Sequence, residues 1–345
     1  MSKCTLQDKK AIAYLRSASL GEYLDRAQLR HPMLGELFDF DRPGSFEALS
    51  ALSVTSTEFD SDQTGRGDTY RTAQTDVSVR WTGMRQLLGL CGPDRSRDVT
   101  VVLDVLGGDG TVARAIRKRG EASLRDICVL TSDLSAEMVE NALDYGLAAI
   151  RQSADFLFLR EASVDSVLLA YGTHHIAPKC RPVAVAEALR VLRPGGQIIL
   201  HDFAESSPTA RFFHQVVHSY SKAGHDYEHF SRESLAGLFG TEGLGVSITE
   251  LYDPLLVRGC DADDARHRMC DYITNMYGVG SWLSPHADLD GAWRQLIQYF
   301  DHSEHMIPSM TRGEVPVAPV VRRKGAGFVA VVPRVALVAV ARKAE

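Results

Sequence analysis

The stretch Val102-Leu103-Asp104-Val105-Leu106-Gly107-Gly108-Asp109-Gly110-Thr111 decides the fold. An apolar run from Val99 to Leu103 ends in Asp104. Glycines follow at 107, 108 and 110, and a helical pattern opens with Val112, Ala113, Ala115 and Ile116. A strand that passes through a glycine turn into a helix lets backbone approach a ligand closely, because glycine carries no Cβ. The helix N-terminus presents free N–H groups at the same place.

Outward from this turn the chain alternates. Strands are expected at 99–104, 127–132, 148–152, 165–171 and 197–203, with helices at about 111–119, 135–145 and 181–192. That rhythm predicts an α/β fold, a parallel sheet covered by helices on both faces. Upstream, residues 6 to 40 read as amphipathic helix (Ile12, Leu15, Leu20, Tyr23, Leu24, Leu29, Leu34, Leu37, Phe38), 41 to 68 as an irregular connection, and about 70 to 90 as a further helix. Downstream, helices are expected at about 208–222 and 232–240, a strand at 244–252, and a helical insertion over 259–312. The insertion's aromatics (Tyr272, Tyr277, Trp282, Trp293, Tyr299, Phe300) suit a cap over a pocket or plain packing. The Val- and Ala-rich end, 327 to 342, contains Pro333, which predicts a bend or bulge. The expected organisation is a helical lid or dimerisation region (1–95), a Rossmann-like domain (96–258), a helical cap (259–315) and C-terminal strands completing the sheet (316–345).

Composition narrows the function. The chain has 345 residues, 45% hydrophobic and 24% charged, with a formal charge of −6 and a pI near 6.1. That balance argues against nucleic acid or an anionic membrane as a main partner. Arg322-Arg323-Lys324 reads as a solvated turn. No apolar run reaches the length of a membrane span, and Met1 to Lys10 has no apolar segment behind its charges. The six cysteines, Cys4, Cys91, Cys128, Cys180, Cys260 and Cys270, form no C-x-x-C pair. They suit reduced thiols and a cytoplasmic location.

Two later segments support a nucleoside site. In Ile127-Cys-Val-Leu-Thr-Ser-Asp133, an apolar strand ends in an acid 23 residues after Gly110. Such a carboxylate can accept both hydroxyls of a ribose; its alternative role is a helix N-cap before Ala136-Glu137-Met138. In Ala188 to Phe203, Pro194-Gly195-Gly196 stops a helix just before a buried strand.

Together the three segments resemble the class I S-adenosylmethionine-dependent methyltransferases over residues 98 to 203. A nicotinamide site would want G-x-G-x-x-G, which this chain lacks. The resemblance implies a Rossmann-like seven-stranded sheet and S-adenosyl-L-methionine as cofactor. Asp104, Gly107, Gly108 and Gly110 would cradle its methionine part, and Asp133 would hold the ribose. Leu134 and Met138 would lie against adenine, and Ala154 and Asp155 at the adenine edge. Tyr171 and Gly172 would lie beside the sulfonium. Leu106 departs from the family, standing where a glycine is usual.

Eleven of the twelve histidines lie between 174 and 305. Tyr171-Gly-Thr-His174-His175 follows the fourth strand, and Gly224-His225-Asp226-Tyr227-Glu228-His229 follows the helix after the fifth. Both loops should emerge at the carboxyl ends of the strands, where ligands bind in such sheets. This pairing resembles a small group of bacterial 2-oxo acid C-methyltransferases of peptide natural-product (antibiotic) pathways. There two loop histidines hold a metal, and the metal holds the oxo acid. The resemblance implies His174 and His225 as ligands of a divalent metal (Fe, Zn, Ni or Co), with His175 or Asp226 close by. His175 or His229 would serve as the base. The partner would be a small 2-oxo acid with an apolar or aromatic side chain, methylated at its β-carbon. The N-terminal region suits a homodimer contact. A metal-free O- or N-methyltransferase with a histidine base is the alternative, and a non-catalytic nucleoside-binding protein, suggested by Leu106, is a third. His286, His302 and His305 lie on the insertion with no spacing to select them. His214 and His218, four apart, read as a solvated or packed helix face.

Overall fold

The computed structural model describes residues 9–60, 65–92, 99–283, 285 and 288–345; Cys4 and His286 lie outside them. Seven strands form the main sheet: β1 (Thr100–Asp104), β2 (Ile127–Asp133), β3 (Ala149–Arg151), β4 (Val164–Leu169), β5 (Leu192–Asp202), β6 (Val246–Tyr252) and, last in the chain, a strand over Val335–Arg342. Two short strands after β6, β7 (Leu255–Gly259) and β8 (Val320–Lys324), pair through β9 (Gly327–Val332) in a separate three-stranded sheet. The last strand is therefore β10. The main order is β3-β2-β1-β4-β5-β10-β6. The first five strands are parallel, and β10 runs antiparallel to both neighbours.

β1 and β4 are buried along their whole length, as strands covered on both faces must be. Register brings their carboxyl ends level: Asp104 pairs with Thr131 and Leu168, Asp133 with Arg151, and Leu169 with Leu200. One rim of the sheet thus carries the tips of β1 through β5.

Local chemistry sets the helices. Gly110 takes φ +81 as it opens helix Thr111–Arg119, and Gly120 closes it at φ +60. Ser135, not Asp133, caps helix Ala136–Asp144, accepting from the Met138 N–H. The Pro-Gly-Gly segment is absorbed into a long β5. Gly195 takes φ +74 there, and the register with β4 shifts.

Several expectations need correction. Residues 10–40 are helical only over Leu20–Arg30 and Leu34–Leu37. Ser19 starts the first with a capping box, and Pro32 prevents its continuation. Within 41–68 lies a helix, Ser45–Val54. The expected helix at 70–90 is two, Gly67–Gln74 and Trp81–Leu90, because Asp76 accepts the Ser78 N–H and turns the chain. β4 stops at Leu169, with Tyr171 in a left-handed turn at φ 61. Of 316–345, only β10 completes the main sheet; Pro333 separates it from β9. Arg322-Arg323-Lys324 ends strand β8 rather than forming a turn.

The insertion is helical at Ala262–Tyr277, Gly280–Leu283, Leu289–Phe300 and Pro308–Thr311. Helix Ala262–Tyr277 packs on the small sheet, and a second core forms around Phe212, Trp282, Trp293 and Phe300. No described helix is long and apolar enough to cross a membrane.

Candidate active site

A cavity of about 480 Å³ opens at the carboxyl rim of the sheet, where open α/β sheets place their ligands. Gly108, Asp133, Leu134, Met138, Ala154, Asp155, Tyr171 and Gly172 all line it. Asp133 is fixed by two backbone donors: Gly108 N–H to Oδ2 and Ser135 N–H to Oδ1, each at 2.9 Å. Burial lifts its carboxyl to about 6 against those hydrogen bonds. Leu134 and Met138 follow on the helix entry. Leu106 also lines the cavity, its Cδ1 4.0 Å from where a Cβ on Gly172 would stand. The leucine that replaces the usual glycine therefore reaches over to the turn after β4.

Asp104, Gly107 and Gly110 do not line the cavity. A Cβ on Gly107 would stand 2.9 Å from Thr131 Cγ2, and one on Gly110 2.1 Å from Leu147 Cδ1. These two glycines admit helix-to-strand packing, and only Gly108 faces the ligand space. Asp104 is buried at the tip of β1, with Oδ2 lacking a hydrogen-bond partner among the described residues. Burial, then the neighbouring Asp133 charge, push its carboxyl up to about 7.

The histidine loops converge. Thr173–His175 forms a single 3₁₀ turn after β4, and the loop 221–230 descends on it. Ring centroids are 5.0 Å apart for His174 and His225, 4.7 Å for His174 and His229, and 4.4 Å for His174 and His175. His225 Nε2 stands 3.4 Å from His229 Nε2. Beneath them lies Asp202, the last residue of β5. Its carboxylate accepts the His174 backbone N–H at 2.7 Å, sits 2.9 Å from His174 Nδ1 and is 3.5 Å from His229 Nδ1. Burial alone would raise the Asp202 carboxyl; His174 and then His229 outweigh it and hold it well below the usual carboxylate range. Burial, with His174 and His229 nearby, drives His225 down to about 2, and burial likewise pulls His175 well below the usual imidazole range.

His174, Asp202 and His229 present one ligand atom each within 4.8 Å of one another, and His229 Nδ1 has no hydrogen-bond partner among the described residues. Neutral imidazoles beside a carboxylate are the donor set a borderline divalent ion takes. His174, His175 and His225 line the cavity, whereas His229 stands behind them. His229 is thus placed as a ligand or support rather than as a base facing substrate. His218 accepts the His225 backbone N–H. His302 is buried on the Phe300 carbonyl and His305 is exposed; neither lines the cavity.

Further lining comes from residues outside the glycine and acid segments. Glu58 Oε1 is 3.4 Å from His175 Nδ1, and Glu58 is held by Arg66. Phe59, Tyr70, Arg80, Phe213, Tyr227, Met276, Tyr277 and Arg334 also line the space. Phe213 starts a π-helical turn, Phe213–Val217, and stacks on His229 with centroids 5.4 Å apart. Among the described residues of the insertion, only the end of helix Ala262–Tyr277 reaches the cavity. Asp202 had one signal in the sequence, an acid closing the buried fifth strand; Glu58 and Arg80 had none.

The sheet order, with β10 the sole antiparallel strand set between β5 and β6, is the class I S-adenosylmethionine-dependent methyltransferase fold. Residues 102–196 match the family model of the methyltransferase domain. Among curated proteins it is similar to the ubiquinone/menaquinone biosynthesis C-methyltransferase UbiE of Nitrobacter hamburgensis, 31% identical over 117 residues, 32% of this chain and 46% of that protein. It is also similar to UbiE of Rhizobium etli, 34% identical over 109 residues, 30% of this chain and 42% of that protein. The chain thus spans about half the length of the curated relatives it matches. Among solved structures, YcgJ from Bacillus subtilis aligns at TM-score 0.45 and 18% identity, covering 76% of this chain and 98% of that one. A Haemonchus contortus phosphoethanolamine N-methyltransferase 2 complex with S-adenosylhomocysteine aligns at TM-score 0.45 and 15% identity, covering 81% and 58%.

Proposed function

We propose that this protein is an S-adenosylmethionine-dependent C-methyltransferase acting, with metal assistance, on the β-carbon of a 2-oxo acid. The observation that carries the reading is the meeting of His174 and His225 at the wall of the cavity beside Tyr171 and Gly172, with His229 and Asp202 behind them. The curated relatives named above are themselves C-methyltransferases.

Asp133 binds the ribose, Leu134 and Met138 flank the adenine, and Ala154 and Asp155 meet its edge. Gly108 gives the backbone room there, and Tyr171 and Gly172 border the sulfonium. S-adenosylmethionine supplies the electrophilic methyl group. His174 and His225 would hold the metal, and His229 would complete the set with Asp202 behind it. Asp202 accepts from His174 Nδ1 and so orients the other ring nitrogen outward, the usual arrangement behind a ligating imidazole. A divalent ion there would polarise a keto oxygen and stabilise developing enolate charge. His175 is the base: neutral through burial, facing the cavity, with Nδ1 beside Glu58. A positioned base contributes about 10²–10⁴-fold. Phe59, Phe213 and Tyr227 suit an apolar or aromatic acceptor side chain.

The test is incubation with S-adenosylmethionine and a panel of 2-oxo acids, read by mass for the gain of one CH₂, with metal content measured in parallel. Full turnover in chelator-stripped protein overturns the metal role. The His175–Glu58 pair favours one second reading, metal-free O- or N-methylation with His175 as base. Methylation of phenols or amines by metal-free protein would establish it.

A further inference from the structure

Asp253 lies in the turn between β6 and β7 and is wholly buried. It stands behind the cavity rather than on it, yet its charge reaches three side chains that line the space. Its Oδ1 accepts from the Tyr171 hydroxyl at 3.3 Å, and its Oδ2 from the Arg334 guanidinium at 2.7 Å. It also acts on Arg80, whose guanidinium lies 4.7 Å from the centre of the Tyr171 ring. Backbone bonds lock Asp253 to Arg334: the Asp253 N–H donates to the Arg334 carbonyl, and Arg334 Nε donates to the Asp253 carbonyl. Burial, then the Asp253 charge, hold the Tyr171 phenol well above its ordinary value, so the hydroxyl keeps its proton and donates.

Two neighbours complete the arrangement. Helix Trp81–Leu90 carries a glycine at 83. A Cβ there would stand 1.7 Å from Asp253 Oδ1 and 2.8 Å from the Tyr171 hydroxyl oxygen. Glycine inside a helix weakens it relative to alanine; at 83 it is what lets the carboxylate and the phenol meet against the helix. His201, from β5, grips the other end of Tyr171. Its ring centre is 4.4 Å from the Tyr171 ring, its Nδ1 lies 3.5 Å from the Tyr171 backbone nitrogen, and its Nε2 faces Asp253 Oδ2 at 3.5 Å. These contacts surround a residue at φ 61, a left-handed backbone that a tyrosine adopts only at a cost and keeps only where its surroundings fix it. We propose that Asp253 is a positioning residue: through the Tyr171 hydroxyl it holds the turn Tyr171–Gly172 in the shape that meets the sulfonium. The inference rests on the reading above, in which that turn borders the sulfonium.

The test is a double-mutant cycle of Asp253→Asn and Tyr171→Phe, read by calorimetric titration with S-adenosylmethionine and with S-adenosylhomocysteine. The two compounds differ only in the methyl group and its charge. A positioning role at the sulfonium therefore moves the ratio of their affinities, whereas a merely structural role moves both alike. Loss of one hydrogen bond to a charged group corresponds to about 10-fold. Each single variant should shift the ratio by about that much. The double variant should shift it no further than the larger single effect, because Asp253 acts through the hydroxyl that Tyr171→Phe removes. Gly83→Ala keeps every charge but displaces the carboxylate, and it should shift the ratio in the same direction. It replaces Asp253→Asn in the cycle if that variant does not fold. An unchanged ratio, with or without a fall in melting temperature, overturns the positioning role and leaves Asp253 a structural residue. Additive effects overturn it as well, since Asp253 would then not act through Tyr171. Wild-type protein that binds neither compound overturns the cofactor reading, and the positioning role with it.

Discussion

Replacing Asp202 by Asn tests the architecture under the histidines most directly. Its carboxylate is buried and receives the His174 backbone N–H at 2.7 Å, contacts His174 Nδ1 at 2.9 and 3.0 Å, and accepts the Phe203 N–H at 2.7 Å. An asparagine keeps one acceptor oxygen and sets an NH₂ against at least one of these N–H donors. A buried donor left unpaired costs about 1–3 kcal/mol, and losing the charge on the remaining bonds adds to it. Asp202→Asn should therefore lower stability by about 2–4 kcal/mol. The sign of the pH dependence follows from the depressed carboxyl. Its contribution is complete above the unfolded value of about 3.9 and is lost as pH falls through the lower folded value. The deficit should thus be constant in urea titrations from about pH 5 to 8. Metal affinity should fall about 10–100-fold, as for other residues behind a ligating imidazole. A variant with wild-type stability and wild-type metal affinity would refute the arrangement.

Replacing His225 by Ala should abolish turnover while leaving S-adenosylhomocysteine affinity near wild type by calorimetry; retained turnover removes His225 from the metal set. His225 titrates at about 2 when folded and near 6.5 when unfolded, so unfolding takes up a proton between those values and stability falls as pH drops below about 6.5. The His225→Phe variant should show a slope shallower by about 1.4 kcal/mol per pH unit in that window, and parallel slopes by denaturant titration would contradict the buried neutral ring. Gly110→Ala places a Cβ 2.1 Å from Leu147 Cδ1 at φ +81 and should cost more than about 2 kcal/mol by thermal or urea unfolding. Glu58→Gln should lower kcat more than it raises KM if Glu58 orients His175; equal effects on both would assign it to binding.

Part of the cavity lining was legible in the sequence because it is built from short contiguous segments. Gly108, Asp133, Leu134, Met138, Ala154, Asp155, Tyr171 and Gly172 each lie at or shortly after the end of a strand, and strand ends meet at one rim whenever the strands are parallel. Gly107 and Gly110 belonged to the same motif but answer to Thr131 and Leu147, which lie distant in sequence, so their packing role was hidden. His174 and His225 were legible as a pair. That His229 stands behind the cavity and that Asp202 links His174 to His229 were not, since both depend on how loop 221–230 lies against the tip of β5.

The sequence by itself determined the alternation of strand and helix, the glycine turn and the two histidine loops, because hydrophobic period and turn chemistry act over a few neighbouring residues. Only the tertiary structure decided the rest. It split the C-terminal run at Pro333 between two sheets, brought Glu58 to His175 from an irregular connection, and laid Arg80 over the Tyr171 ring. Those outcomes depend on contacts between residues far apart in the chain, where packing and charge compensation are set by the whole fold.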